Sequence, residues 1–164
     1  MLSEKLHTLL NDQINHEHYS SYLYLAMAAY FEAKNLPGFA NWMKVQSGEE
    51  YEHGMKFYEY LYDRGEVVTL QTISAPPAEW ESPADVFDQV LKHEQKVTSL
   101  IHTIYAAALK ENDYPTQVML HWFINEQVEE EKNAQQIVDQ MDMIGGSTQG
   151  LMMLDHALGA RAAD

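Results

Sequence analysis

Apolar residues recur every three or four positions over four long stretches, the period of a helix with one buried face. The first stripe reads Leu6, Leu10, Ile14 or Gln13, Glu17, Ser21, Tyr24, Ala28; the second reads Phe39, Met43, Gln46, Glu50, His53, Phe57, Tyr60. The third is Phe87, Leu91, Glu94, Val97, Ile101, Tyr105, Ala108, and the fourth is Met119, Phe123, Gln127, Glu130, Ala134, Ile137, Met141. Clustered Pro and Gly residues punctuate these stripes, at Pro37-Gly38, Gly65, Pro76-Pro77, Pro115 and Gly145-Gly146. The pattern predicts helices over about 4–33, 38–64, 83–112 and 115–143, with a short fifth over 148–160, all in one domain spanning 1–164. Ser82-Pro83-Ala84-Asp85 has the N-cap, first-turn proline and first-turn acid of a helix start.

Two connections are short and predict antiparallel hairpins. The middle one, residues 66–82, contains a β-like Val67-Val68-Thr69-Leu70 and a helix-breaking Pro76-Pro77. Extended, it reaches ~50 Å, enough to return along a helix of ~40 Å. The predicted architecture is therefore all-α, a four-helix bundle with one long crossover and a short C-terminal helix.

Every stripe carries a carboxylate near its middle, where desolvating a lone charge costs several kcal/mol. The four positions share one height. Glu17 lies 18 residues before the first turn near residue 35, and Glu50 and His53 lie 15 and 18 after it. Glu94 lies 19 residues before the second turn near 113, and Gln127 and Glu130 lie 14 and 17 after it. These offsets agree to within about one helical turn, ~5 Å. Four carboxylates meeting an imidazole and an amide in a bundle core require compensation, which a pair of divalent cations supplies. Oxygen ligands with one nitrogen and no sulfur suit iron or manganese.

Composition narrows the setting. There is no cysteine, which excludes disulfides and thiolate metal sites. Acidic residues outnumber basic ones 25 to 10, a balance that disfavours nucleic acid and anionic lipid. No apolar run approaches the ~20 residues of a membrane span, and Met1-Leu2-Ser3-Glu4-Lys5 lacks the features of a signal peptide. A cytoplasmic setting is expected.

Over essentially its whole length the chain resembles a bacterial non-haem ferritin. The residues carrying the resemblance are Asn15-His16-Glu17, Tyr24-Leu25-Ala26-Met27, Glu49-Glu50-Tyr51-Glu52-His53, His93-Glu94, and Asn125-Glu126-Gln127-Val128-Glu129-Glu130-Glu131. The resemblance implies that Glu17, Glu50 and His53 hold one iron. Glu50, Glu94 and Glu130 would hold a second, with Glu50 bridging and Gln127 alongside. Tyr24 matches the family's tyrosine beside the centre, and Glu49, Glu126 and Glu129 match the acids that form, with Glu130, a third iron site. It further implies Fe(II) oxidation by O2, Fe(III) mineral storage and a cage of 24 subunits. The fourth helix carries Gln127-x-x-Glu130 where rubrerythrins and bacterioferritins carry a second Glu-x-x-His. Tyr51 stands where bacterioferritin has its haem-ligating methionine, so no haem is expected. His16, His18, His121 and His156 read as surface histidines. Two other readings remain open on sequence: a di-iron oxidase or oxygenase acting on an organic substrate, and a non-catalytic interaction bundle.

Overall fold

Every helix but α2 begins where the local sequence supplies a capping side chain. In the computed structural model, which describes residues 2–163, Ser3 accepts from the Leu6 amide at 3.1 Å and opens α1 (Glu4–Ala33). Asn35 turns the chain at φ +57°, and Pro37 starts α2 (Pro37–Asp63). Ser82 caps α3 (Pro83–Glu111), and Asn112, in the left-handed region at φ +55°, ends it. Asp113 caps α4 (Tyr114–Ile144), and Ser147 caps α5 (Thr148–Leu158). Among the described residues there is no strand, and no helix is long and apolar enough to cross a membrane.

Pairwise contacts give the topology. Ser21 and Ser47 exchange hydroxyl-to-carbonyl hydrogen bonds at 2.7 Å each, locking α1 antiparallel to α2. Tyr60 meets Thr116, and Arg64 grips Asp113 with two bonds of 2.8 and 2.7 Å, so α2 runs antiparallel to α4. Helices α2 and α3 are therefore parallel, which the crossover, residues 64–82, makes possible.

The β-like segment of that crossover is extended but pairs with no strand. Its partner is a side chain: Asn11 donates to the Thr69 carbonyl at 2.9 Å and accepts from the Thr69 amide at 2.8 Å, as a neighbouring strand would. His7 and Asp12 bond the same segment at Val67 and Gln71, so the crossover lies along α1.

Several stripe positions shift by one residue from the sequence pattern. Ser20, Leu61, Val90, Ile104 and Leu120 are buried, whereas Ser21, Tyr60, Leu91, Tyr105 and Met119 are only partly covered. A straight helix drifts relative to a strict heptad stripe, so neighbouring residues exchange the core position over a long element.

The core divides into two apolar halves. One contains Met27, Phe31, Phe39, Met43 and Phe87, with Phe31 stacked on Phe39 at 4.9 Å. The other contains Leu6, Leu10, Phe57, Ile101 and Phe123, with Phe57 stacked on Phe123 at 4.1 Å. The buried carboxylates lie between them.

Helix α5 docks on the start of α2 through one buried acid. Asp155 Oδ1 accepts from the backbone amides of Gly38 and Phe39 at 2.8 and 3.0 Å, placing a negative charge at a helix N-terminus. This approach requires glycine, because a Cβ at position 38 would stand 1.6 Å from the Asp155 carbonyl oxygen. Gly38→Ala is expected to unseat α5 at a cost of about 2 kcal/mol or more. Thermal denaturation and proteolysis around residues 145–160 measure the effect; an unchanged melt and cleavage pattern would refute it.

Candidate metal centre

Helical phase brings the four mid-stripe acids inward. Glu17, Glu50, Glu94 and Glu130 are all buried, as are His53, Gln46 and Gln127. Glu50 and His53, three residues apart, project from one face of α2, with His53 Nδ1 3.4 Å from Glu50 Oε2. One ligand atom from each of Glu17, Glu50 and His53 lies within 4.8 Å of the others. A second such group combines His53, Glu126 and Glu130, with His53 Nε2 3.8 Å from Glu126 Oε1. His53 therefore sits between two sets of carboxylates. Its ring is fixed edge-on against Trp122 and Phe123, at centroid distances of 5.3 and 6.1 Å.

Amides hold the carboxylates in place. Gln13 donates to Glu17 Oε1 at 2.8 Å, while Glu17 Oε2 is buried with no hydrogen-bond partner. Gln46 donates to Glu50 Oε1 at 3.2 Å and to Glu130 Oε2 at 2.8 Å, joining α2 to α4 across the core. Glu94 receives the Tyr24 hydroxyl on one oxygen and Gln127 Nε2 on the other at 3.2 Å. Gln127 also reaches Thr98, whose hydroxyl donates to Glu131 at 2.5 Å. His93 bonds Ser20 at 2.7 Å and packs edge-on to Tyr24; burial pushes its imidazole down to about 4, leaving it neutral at pH 7.

The electrostatics follow from burial. Desolvation and then the neighbouring Glu50 raise Glu17 well above the ordinary carboxylate range. Glu50 is raised in the same way, by desolvation and by Glu94 and Glu130. Burial lifts Glu94 to about 7 and, with repulsion from Glu94, lifts Glu130 to about 8. Tyr24 is also raised, by burial and by Glu94. Burial and mutual repulsion thus favour the protonated forms of the four acids that share this enclosed layer. A pair of divalent cations would replace those protons with matching charge. The Glu17–Glu50–His53 group fits a hard cation, and the His53–Glu126–Glu130 group offers a second set of hard ligands; Glu94 belongs to neither group.

The outer acids are arranged differently. Glu49 is half-buried, with Oε2 2.5 Å from Arg161 Nη2. Glu126 is half-buried and faces His53, whereas Glu129 is exposed. Glu49, Glu52, His53 and Glu126 line an open groove of about 760 Å³ between α2 and α4, together with Lys44, Lys56, Trp122 and Ala163. Of the remaining histidines, His121 and His156 are exposed. His16 and His18 are half-buried instead of lying on the surface, because α3 and α2 partly cover them; His18 packs on Tyr51 at 5.4 Å.

The family model for the ferritin-like domain matches residues 7–144, which contain every carboxylate of this centre and of its outer set. The chain belongs to the ferritin family. It is 42% identical over 161 residues to a bacterial non-heme ferritin of Bacteroides fragilis, covering 98% of this chain and 100% of that one. A bacterial non-heme ferritin of Staphylococcus aureus is 38% identical over 164 residues, covering 100% and 99%. An open pore ferritin of the archaeon Archaeoglobus fulgidus superposes with a TM-score of 0.98 at 44% identity, covering 99% of this chain and all of that one.

Within this ferritin family member, two groups escaped the sequence reading. Gln13 and Gln46 stand four residues before Glu17 and Glu50, and both donate to those carboxylates. A repeated Gln-x-x-x-Glu on buried stripes is a legible signal, since i and i+4 side chains meet on a helix. Arg161 offered no signal. Its partners lie more than 110 residues away in the chain.

Proposed function

We propose that this chain is a ferroxidase subunit of a cytoplasmic iron-storage cage. Four buried carboxylates, all raised above the ordinary range, with Glu94 at about 7, Glu130 at about 8 and one oxygen of Glu17 without a hydrogen-bond partner, carry this reading. Such a layer is unfavourable without cations and well suited to receive them.

In this reading Fe(II) is the substrate. Glu17, Glu50 and His53 hold one ion; Glu50, Glu94 and Glu130 hold the other, with Glu50 shared. Two Fe(II) each give one electron to a single O2, which takes up two protons and leaves as hydrogen peroxide. The buried carboxylates favour the Fe(III) product because they bring more negative charge than Fe(II) needs. Gln127 and Tyr24 fix the Glu94 carboxylate from opposite sides and so orient it toward the second ion. Glu126, with Glu49 and Glu129, forms the outer set through which a third ion is held near the groove. The products move to a mineral core. Haem has no part in this scheme.

Storage requires assembly, and we infer the 24-subunit cage from membership of the family. Tyr22 and Leu25 on α1, with Leu70 and Ile73 on the crossover, are exposed apolar residues that a second copy would cover.

Aerobic Fe(II) addition followed by size-exclusion chromatography tests the whole reading. The expected product is an iron-loaded particle of cage mass. A monomer that retains no iron would overturn storage. O2 uptake that needs an organic compound and leaves no mineral would favour the oxygenase reading instead; the tightly stacked phenylalanines flanking the carboxylates argue against it.

A further inference from the structure

The most distant connection to the centre comes from the C-terminal tail. Beyond α5 the chain turns back over α2, and Asn41 donates to the Arg161 carbonyl at 2.9 Å. The Arg161 guanidinium then lies over the Trp42 ring, 4.6 Å from its centroid. Its two terminal nitrogens divide their work. Nη1 donates to Gln46 Oε1 at 2.9 Å, and Nη2 donates to Glu49 Oε2 at 2.5 Å.

Both partners matter to the centre. Gln46 is fully buried, and its amide nitrogen serves Glu50 and Glu130. Arg161 is therefore one side chain removed from two of the four core carboxylates. Glu49 lines the α2–α4 groove beside His53 and Glu126, and its charge is felt at Glu130. The guanidinium lies where a cation held by Glu49 would lie. Arginine is suited to this because its planar fork satisfies an amide and a carboxylate together and keeps its charge at any relevant pH.

The geometry points to Arg161 as a tethered counter-ion of the outer acids, occupying the Glu49 carboxylate that a divalent cation in the groove would otherwise take. Metal binding on the outer side then requires Glu49 to exchange the guanidinium for the ion. Arg161 sets the occupancy of the groove, while the inner ions, held by Glu17, Glu50, His53, Glu94 and Glu130, bind without that exchange. Arg161 acts here through Glu49 and is a positioning residue. The inference rests on the metal-centre reading of the preceding subsection.

Anaerobic titration of the assembled protein with Co(II), followed by calorimetry and by the cobalt absorption bands, tests it without any turnover. In Arg161→Gln the outermost Co(II) is expected to bind roughly five- to tenfold more tightly, the scale of one charge-assisted contact removed from competition. The inner ions, which Arg161 reaches only through Gln46, should change by a smaller factor than the outer one. In the double variant Arg161→Gln with Glu49→Gln, the gain should vanish. An Arg161→Gln isotherm that is unchanged or weaker overturns the proposal. So does a gain that survives in the double variant, since Arg161 would then act by its field alone. Glu50→Gln is the control for the underlying reading: if it keeps all of its Co(II), the metal centre itself has been misplaced.

Discussion

Glu50→Gln is expected to abolish Fe(II) oxidation while making the metal-free chain more stable above neutral pH. Glu50 is the residue both proposed ions share, so its loss removes a ligand from each. Outer-shell changes at metal sites already cost 10–100-fold, and a shared ligand should cost about 100-fold or more in the initial rate of Fe(III) formation. The stability gain has a separate cause. Glu50 is buried beside three other carboxylates, with desolvation and repulsion both opposing its charge. Glutamine preserves its volume and removes that charge. Replacing a buried ionic group is commonly neutral or stabilising by 1–4 kcal/mol. At about 2–4 °C per kcal/mol for a chain of this size, the metal-free melting temperature at pH 8 should rise by several degrees. Stopped-flow absorbance and calorimetry measure the two effects. A variant that oxidises iron at the parental rate would show that position 50 is structural only, as the non-catalytic bundle requires.

The second large effect is on the pH dependence of the metal-free protein. Glu94 and Glu130 titrate near 7 and 8 in the fold, against 4.5 as ordinary glutamates, so the folded chain binds protons that the unfolded chain has already lost. Their contribution is fully present below about pH 4.5 and is lost progressively as pH rises through 7 and 8. Glu17 and Glu50, raised in the same direction, add to it. Across that window the metal-free melting temperature should fall with increasing pH, by an amount on the order of several kcal/mol in stability. Divalent metal should reverse the trend, because binding then displaces fewer protons as pH increases. Melting curves at pH 5, 6.5 and 8, with and without Co(II), test this. A metal-free protein that grows more stable between pH 6 and 8 would mean the carboxylates are ionised and paired by some other means.

The Ser82 cap and the mid-helix acids were read from the sequence because they depend on local chemistry, and Ser3 and Asp113, which went unread, carry the same kind of signal. Ser3, Ser82 and Asp113 accept from amides three residues ahead, a contact any helix start would make. Glu17, Glu50, Glu94 and Glu130 stand at one level because a helix converts residue number into height at a fixed rise. The choice between adjacent stripe residues was less legible. Ser20 and Ser21 differ by one position, and only the close approach of Ser21 to Ser47 sends Ser21 toward α2 and leaves Ser20 for His93. The outer acids were least legible. In a run such as Glu129-Glu130-Glu131 the sequence does not show that Glu129 faces solvent while Glu131 receives the Thr98 hydroxyl.

By itself, then, the amino-acid order determined an all-α chain of five helices, its crossover, and a layer of acids at one height in the bundle. Each follows from periodicity, caps or spacing along one element. Tertiary structure decided how that layer is wired. Gln46 bridges Glu50 to Glu130, Arg161 reaches back to Gln46 and Glu49, and Asp155 caps α2 through Gly38. These contacts join residues 84 to 117 positions apart, apart from the local Gln46–Glu50 pair. Nothing in the local sequence selects such partners; they are fixed only when packing has brought the helices and the tail together.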